Sequence, residues 1–316
     1  GRTVRNIIED AIREKAFRIG TNKVSHDELT RLSAIDFGMD TDEDIVQGTS
    51  VILEELNNLT GLENVKKSVT EILDLVQLQK RRKEMGFKSE EISLNMIFTG
   101  NPGTGKTTIA RLISRLFKEA GILKKGQLVE VTREDLVGEY IGQTATKTLK
   151  KIKEAYGGVL FIDEAYTLAQ GGDNDYGKEA ISTLIKEMED NRDKLMVIMA
   201  GYTREMEELL LLNPGLKSRI GFTIEFPDYK PMELIKIFKD LCVANDYILE
   251  RPAEAKLRII FEELYADRDK NFGNARLARQ IFEKIRMRQA YRIMTEGTTS
   301  RNPEEIITIK EEDINF

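Results

Sequence analysis

The sequence predicts an α/β fold in which a parallel sheet is flanked by helices and is followed by a smaller helical domain. Short apolar runs alternate with segments that have the spacing of amphipathic helices, which is typical of parallel strands joined by helical crossovers. After Pro231 the runs disappear, and helical patterns continue to about Thr295. We therefore expect an α/β domain over residues 56–229 and a helical domain over residues 230–316. The runs lie at residues 94–99, 128–131, 159–162, 195–200 and 222–226.

Composition excludes several kinds of chemistry. The 316 residues include one His, one Cys and no Trp, so a four-ligand zinc site cannot form and a catalytic triad is disfavoured. A lone Cys also excludes an intrachain disulfide, which is typical of a reducing, cytoplasmic compartment. With a net charge of -6 and no long apolar run, we expect neither nucleic acid nor a membrane as partner. Catalysis must then depend on carboxylates, Lys, Arg, hydroxyls, backbone amides or a bound cation.

An internal repeat relates the two ends of the chain. Residues 2–19 align without a gap on residues 276–293, with seven of 18 positions identical. Two amphipathic helices of similar composition are the simpler interpretation. We favour a duplicated helical domain, in which residues 1–37 are the remnant of a preceding module. Residues 38–55, which are polar and acidic at first, would be a linker, and the chain would come from a tandem protein.

The segment from Gly100 to Thr107 has the phosphate-loop pattern of Gly, four variable residues, Gly, Lys and Thr. Its glycines let backbone amides converge on a polyphosphate, while Lys106 supplies a positive charge and Thr107 offers a hydroxyl to magnesium. An apolar run leads into the loop and a helical pattern leads out, which disfavours the alternative of a simple glycine-rich turn. The expected ligand-binding residues here are Pro102, Gly103, Thr104, Gly105, Lys106, Thr107 and Thr108.

A second element is the apolar run at residues 159–162, which ends in Asp163 and Glu164. Acids in this place lie at the carboxyl edge of a parallel sheet, where ligands of such folds bind. Asp163 is suited to hold magnesium, and Glu164 to accept a proton from the water that attacks a γ-phosphate. The alternative is a helix cap, but a phosphate loop upstream favours the catalytic interpretation.

With these motifs in this order, the chain resembles the AAA+ ATPases, and within them the branch of the sporulation stage V protein K and the red-type rubisco activase. Residues 59–62, Leu-Thr-Gly-Leu, are similar to the segment of that family that lies against adenine, which includes Gly61 among the binding residues. Residues 163–166 and 200–202 are similar to this branch's versions of the acidic motif and of the next strand end. The resemblance implies a P-loop NTPase core with a helical lid, ATP and Mg²⁺ as cofactors, and self-assembly into a ring, a hexamer.

The resemblance also implies roles for residues outside the phosphate loop. Arg219 matches the arginine finger that completes a neighbouring subunit's site, although a surface arginine paired with a local acid is the alternative. Arg276 matches the second sensor, a lid residue that reaches the γ-phosphate, with an ordinary helix-start arginine as the alternative. At the first sensor the chain departs from the family, because Tyr202 and Thr203 stand where Asn or Thr is common. Thr203 has the more suitable short hydroxyl.

Residues 139–143 resemble the first pore loop of the family, in which Tyr140 and Ile141 would grip a polypeptide in the channel of the ring. Local packing is the alternative. Residues 170–177, rich in Gly and Asp, occupy the place of a second pore loop or form a flexible turn. The implied function is a Mg-ATP-dependent ATPase that remodels an unidentified protein partner. The alternatives are a nucleic-acid motor of the clamp-loader or branch-migration type, which the acidic charge disfavours, and a nucleotide-dependent scaffold with little hydrolysis.

Overall fold

The computed structural model describes residues 42–88, 92–140, 142–170, 176–295 and 303–315, together with isolated positions among the first 32 residues. Two helices, α1 (Asp42–Asn58) and α2 (Glu63–Glu84), precede an alternation of strands and helices. The alternating elements are β1 (Met96–Thr99), α3 (Lys106–Glu119), β2 (Leu128–Val131), α4 (Arg133–Leu136), α5 (Thr144–Glu154), β3 (Val159–Ile162), a 3₁₀ turn (Ala165–Ala169), α6 (Gly177–Asp190), β4 (Met196–Gly201), α7 (Thr203–Leu212), α8 (Pro214–Lys217) and β5 (Phe222–Glu225).

The five strands form one parallel sheet in the order β2-β3-β4-β1-β5. Thr99, the last residue of β1, pairs with Gly201 of β4 and Glu225 of β5, so these strands end at the same level. Because all pairs are parallel, the residues that follow the strands gather at one edge, which we call the carboxyl edge. The predicted α/β class with a parallel sheet flanked by helices is confirmed.

The three central strands, β1, β3 and β4, are almost entirely apolar because both of their faces are covered, whereas the edge strands β2 and β5 also carry exposed polar residues. Every residue of β1, β3 and β4 is buried. Alternate residues contribute to opposite sides: Met96 and Phe98 pack with α2 and α3, whereas Ile97 packs with α5 and α6. The first of these cores continues into the C-terminal helices, so the two predicted domains share apolar packing.

The C-terminal domain is helical, as predicted, with one addition. Its helices are α9 (Pro231–Ala244), α10 (Arg251–Ala266), α11 (Asn274–Thr295) and α12 (Pro303–Ile307). Two short strands, β6 (Ile248–Leu249) and β7 (Thr308–Ile309), pair in parallel. The sequence did not predict them, because two residues are too few to show the alternation of apolar and polar residues that marks a strand. A 3₁₀ turn (Glu311–Asp313) follows β7.

Contacts inside this domain join its last segment to α11. Gln289 donates hydrogen bonds to the carbonyls of Ile306 and Thr308, at 3.1 and 2.9 Å. Arg292 forms a bidentate pair with the buried carboxylate of Asp313, with N–O distances of 2.7 and 2.9 Å. The α11 helix, α12, β7 and the final turn therefore form one connected unit.

Helix α1 corrects the linker that was predicted over residues 38–55, because Asp42–Asn58 is helical. Ile52 and Leu56 are buried in the first core, and α1 packs along α3. Residues 39–50 carry too many acids and turn formers to show a helical period. The helix is stabilised by the packing of its second half against the core. The sequence of its first half therefore gives no sign that it is helical.

Within the described part of the chain, every helix is too short or too polar to cross a bilayer. Most of the first repeat copy, including His26, lies outside the described residues.

If α1 is part of the core, Leu56→Ala should lower the free energy of unfolding by about 2–5 kcal/mol, because it leaves a cavity beside α3. Val51→Ala is the matched control on the same helix, since Val51 is 60% exposed, and it should change stability by less than about 0.5 kcal/mol. Chemical denaturation measures both. Equal small effects would show that α1 does not stabilise the fold.

Candidate active site

A cavity of about 480 Å³ lies at the carboxyl edge of the sheet. The phosphate loop forms its floor, the ends of β3 and β4 form one wall, and the start of α11 forms the other. Six predicted residues of the loop line it: Pro102, Gly103, Gly105, Lys106, Thr107 and Thr108. The cavity therefore brings most of the predicted loop residues together on one surface.

Lys106 is the first residue of α3 and is fixed by the loop itself. Its Nζ donates to the carbonyls of Gly100 and Asn101, at 2.7 and 2.8 Å. Burial lowers the pKa of this ammonium to about 8, and the nearby carboxylate of Asp163 partly offsets that shift. An anion in the cavity would favour the charged form, so the site is suited to a polyphosphate.

The loop is shaped by residues that accept unusual backbone angles. Gly105, with φ of 96°, caps α3, so the amino end of that helix faces the cavity. Gly103 has φ of 72°, and a Cβ there would lie 2.2 Å from the carbonyl oxygen of Gly273. Thr104, in contrast, does not line the cavity: it is fully buried, and its hydroxyl donates to the carbonyl of Asn101 at 2.8 Å. Its side chain therefore closes the loop.

Asp163 and Glu164 both line the cavity, on the wall formed by the ends of β3 and β4. One oxygen of Asp163 accepts a hydrogen bond from the amide of Glu164 at 3.1 Å. Glu164 has φ of 48°, a left-handed conformation that is uncommon outside glycine and concentrates at functional sites. The hydroxyl of Thr107 and the carboxylate of Asp163 are oxygen donors of the kind that Mg²⁺ prefers. Their presence in one cavity fits a magnesium site.

Of the two candidates for the first sensor, the structure places Tyr202 in the cavity and Thr203 outside it. Strand β4 ends at Gly201 and α7 begins at Thr203, so Thr203 is exposed on the first turn of a helix. The Tyr202 ring lies 5.9 Å from that of Tyr166. Burial, and next the charge of Glu164, raise the pKa of the Tyr202 phenol above its usual value. A phenol donates a hydrogen bond at neutral pH.

Two arginines reach the cavity from the first turns of α11. Arg276 was predicted from the sequence, whereas Arg279 was not. Residues three apart share a helix face, so this spacing could have revealed Arg279 once Arg276 was assigned. The pair makes the wall opposite the acids positive, as a phosphate chain requires.

A second cavity of about 330 Å³ continues from the first and is mostly apolar. The two share Gly105, Thr108 and Ala275. Gly61 lies between two lining residues, Thr60 and Leu62, and has φ of 62°. This left-handed backbone favours glycine, and a Cβ on Gly61 would also require the Glu233 carboxylate, 2.4 Å away, to move. An apolar slot beside a polyphosphate site fits a planar base.

The structure does not bring Arg219 into this cavity. Arg219 precedes β5 and therefore lies at the amino edge of the sheet, opposite the phosphate loop. Its Nε is 3.2 Å from a carboxylate oxygen of Glu189, and its Nη1 donates to the carbonyl of Gly215 at 2.9 Å.

Tyr140 is also remote, on the connection between α4 and α5, where its side chain is 67% exposed. Its predicted partner Ile141 lies outside the described residues, as do residues 171–175 of the second candidate loop.

Family models match both parts of the chain. The ATPase family associated with various cellular activities (AAA) matches residues 96–228, and the AAA lid domain matches residues 1–47 and 230–316. Stage V sporulation protein K of Bacillus subtilis (strain 168) is 44% identical over 84% of this chain and 82% of its own length. Protein CbbX of Cereibacter sphaeroides is 44% identical over 84% and 86%. The chloroplastic ribulose bisphosphate carboxylase/oxygenase activase of Cyanidioschyzon merolae (strain NIES-3377 / 10D) is 41% identical over 83% and 90%.

Solved structures share the fold at lower identity. The AAA domain of FIGL-1 in complex with ADP superposes with a TM-score of 0.58 at 19% identity, covering 87% of this chain and 90% of that one. The RuvB Holliday junction branch migration motor of Thermotoga maritima superposes with a TM-score of 0.54 at 20% identity, covering 80% and 67%. At these identities the likeness concerns the fold alone.

The close approach at Gly103 gives a test of the site. Gly103→Ala should weaken nucleotide binding at least about tenfold, because its Cβ would displace the start of α11 in addition to straining a left-handed residue. Gly86→Ala is the matched control: φ there is 78°, but nothing lies within 4 Å. It should cost about 1 kcal/mol of stability and leave binding intact. Titration with a fluorescent nucleotide measures both, and equal binding by the two variants would contradict the described contact.

Proposed function

Because this chain belongs to the AAA family of ATPases, we propose that it hydrolyses Mg-ATP within a ring of identical chains, a hexamer, and thereby remodels a protein partner. The observation that carries the proposal is the convergence of Lys106, Glu164 and Arg276 on one cavity, with Arg219 at the opposite edge of the sheet. ATP hydrolysis follows from the family. Magnesium, the ring and the partner are the parts that we add.

Each residue of the cavity has a role in this proposal. Lys106 and the loop amides hold the phosphates, and Thr107 and Asp163 would hold Mg²⁺, which supplies positive charge against the phosphate oxygens. Glu164 accepts the proton of the attacking water, and Tyr202 donates a hydrogen bond that orients it. We propose Tyr202 as the first sensor because it lies in the cavity, where Thr203 does not.

The position of Arg219 supports assembly into a ring. Within its own chain, Arg219 lies at the amino edge of the sheet, so it cannot act on the nucleotide bound at the carboxyl edge. A neighbouring chain that presents its amino edge to this cavity would supply the missing positive charge. Each site would then be completed by the next chain.

A protein partner is proposed from two observations. Tyr140 is a large aromatic residue with 67% exposure on a loop, where an exposed ring adds little to stability. One relative is named as an activase of ribulose bisphosphate carboxylase/oxygenase, which is itself a protein. A ring that presents Tyr140 to its channel could grip a polypeptide.

We propose that residues 1–37 are a second copy of the lid motif. The lid model matches residues 1–47 as well as the C-terminal domain. Ala11 and Lys15 are buried, as are the aligned Ile285 and Gln289. Lys15 donates to a carbonyl 16 residues further on, and Gln289 donates to one 17 residues further on. These parallels support a common local structure.

Mixing two inactive variants tests the shared site. Glu164→Gln removes the base and Arg219→Ala removes the finger, so each alone should hydrolyse ATP at least about 100-fold more slowly than the native chain. A mixture should regain part of the rate, because a chain with Arg219→Ala keeps its base and can receive a finger from its neighbour. Phosphate release measures turnover.

Nucleotide binding by both variants, measured separately, is the control for folding. An inactive mixture of chains that still bind ATP and co-assemble would contradict a finger supplied by the neighbour. Normal turnover by Glu164→Gln would show that Glu164 is not the base.

The grip on a polypeptide is tested by Tyr140→Ala. This variant should keep most of its ATP turnover but lose the stimulation of turnover by an unfolded polypeptide such as casein. Tyr291→Ala is the matched control, since Tyr291 is an equally exposed tyrosine, at 73%, on α11. It should keep the stimulation. If Tyr140→Ala lowers basal and stimulated turnover by the same factor, the residue acts in local packing instead.

A further inference from the structure

Three polar residues far apart in the sequence meet between the phosphate loop and α11. Asp228, on the connection between β5 and α9, accepts hydrogen bonds from the side-chain amides of Asn101 and Asn274. The Asn101 nitrogen lies 2.9 and 3.1 Å from the two oxygens, and the Asn274 nitrogen lies 2.8 Å from one of them. We call these three residues the Asp228 junction. Asp228 itself does not line either cavity.

Asn274 is the first residue of α11 and is completely buried. Besides its bond to Asp228, its amide nitrogen lies 3.0 Å from the carbonyl of Phe272 and 3.3 Å from that of Pro102. Its oxygen accepts from the amide of Tyr229 at 2.8 Å. With φ of 50°, the position suits Asn, which tolerates the left-handed conformation. A buried amide with this many partners fixes the start of the helix.

The junction is reinforced by a backbone contact. The amide of Ala275 donates to the carbonyl of Gly103 at 3.1 Å, so the first turn of α11 is bonded directly to the phosphate loop. Arg276 follows immediately, and Arg279 lies one turn later on the same face. The direction in which these arginines enter the cavity is therefore set by how Asn274 is held.

Asp228 can carry this role because its charge is compensated. Its side chain is 17% exposed, and the guanidinium of Arg268 lies 3.6 Å away on the solvent side. Arg268 in turn lies over the ring of Tyr265, 3.9 Å from its centre. The carboxylate offers two acceptor oxygens to the two amides, which an amide side chain of the same shape could not do.

We infer that Asp228 is a positioning residue that couples the phosphate loop to the lid, by holding Asn101 and Asn274 so that Arg276 faces the phosphates. This inference rests on the proposed role of Arg276 at the nucleotide. The junction makes the placement of the loop and the placement of α11 depend on each other. A change in the loop on nucleotide binding or hydrolysis would be transmitted to the helical domain through these side chains.

A double-mutant cycle with Arg276 tests the inference. Asp228→Asn keeps the shape of the side chain but presents an NH₂ group to two donors. In the native background it should lower kcat for ATP about tenfold and weaken equilibrium binding of a fluorescent ATP analogue. In the Arg276→Ala background it should change both by less than about twofold, because the residue that it positions is absent. Equal factors in the two backgrounds would overturn the inference.

The binding measurements of the cycle do not depend on ATP turnover. If the native chain failed to hydrolyse ATP, the proposed function would be overturned, but the binding measurements would still test the role of Asp228. Asp313→Asn is the matched control. Asp313 is a buried carboxylate of the helical domain, and it pairs with Arg292 at a site distant from the phosphate loop. This variant should lower the thermal midpoint without changing nucleotide affinity. An equal loss of affinity in both variants would show that Asp228 is merely structural. If Asp228→Asn does not fold, Asn101→Ala removes the hydrogen bonds between the phosphate loop and Asp228 and leaves that from Asn274. This variant can replace Asp228→Asn in the same double-mutant cycle.

Discussion

The contact between the phosphate loop and the first turn of α11 is the constraint on which the site depends. The carbonyl of Gly103 accepts a hydrogen bond from the amide of Ala275, and no side chain fits at Gly103. This approach attaches the helical domain to the sheet and closes the polar cavity with Arg276. It also leaves an apolar cavity beside the polar one. The candidate active site therefore belongs to neither domain alone, and any shift between the domains alters its shape.

The sequence predicted the parts of this structure that local patterns encode. Strands β2 and β3 have the bounds that were expected, and β3 shows why: a buried parallel strand is a continuous apolar run. The loop glycines and Lys106 were assigned from the spacing of one motif, and the two acids from their place after an apolar run downstream of that motif. The Asp228 junction could not be predicted, since Asp228 is 127 residues from Asn101 and 46 from Asn274, and only the fold brings them together. Helix α1 was missed because tertiary packing, rather than its own pattern, stabilises it.

The sheet topology divides the chemistry between two edges. Parallel strands carry the nucleotide cavity at their carboxyl ends, and the same direction of chain places Arg219, just before β5, at their amino ends. There the Arg219 side chain pairs with Glu189 and donates to the carbonyl of Gly215, so within the isolated chain it contacts only groups at its own edge of the sheet. In the ring that we propose, one edge of the sheet would receive the neighbour's arginine and the other would donate one, which is the arrangement of a head-to-tail assembly.

The connected unit of α11, α12, β7 and the final turn has a mechanical consequence. Its bonds at Gln289 and Arg292 leave little freedom for these elements to move separately. Helix α11 has 22 residues, which corresponds to a length of about 33 Å, and its first turn is bonded to the phosphate loop. A tilt of about 10° about that end would displace the far end by about 6 Å, so a small change at the phosphate loop would become a larger displacement at the other end of the helical domain.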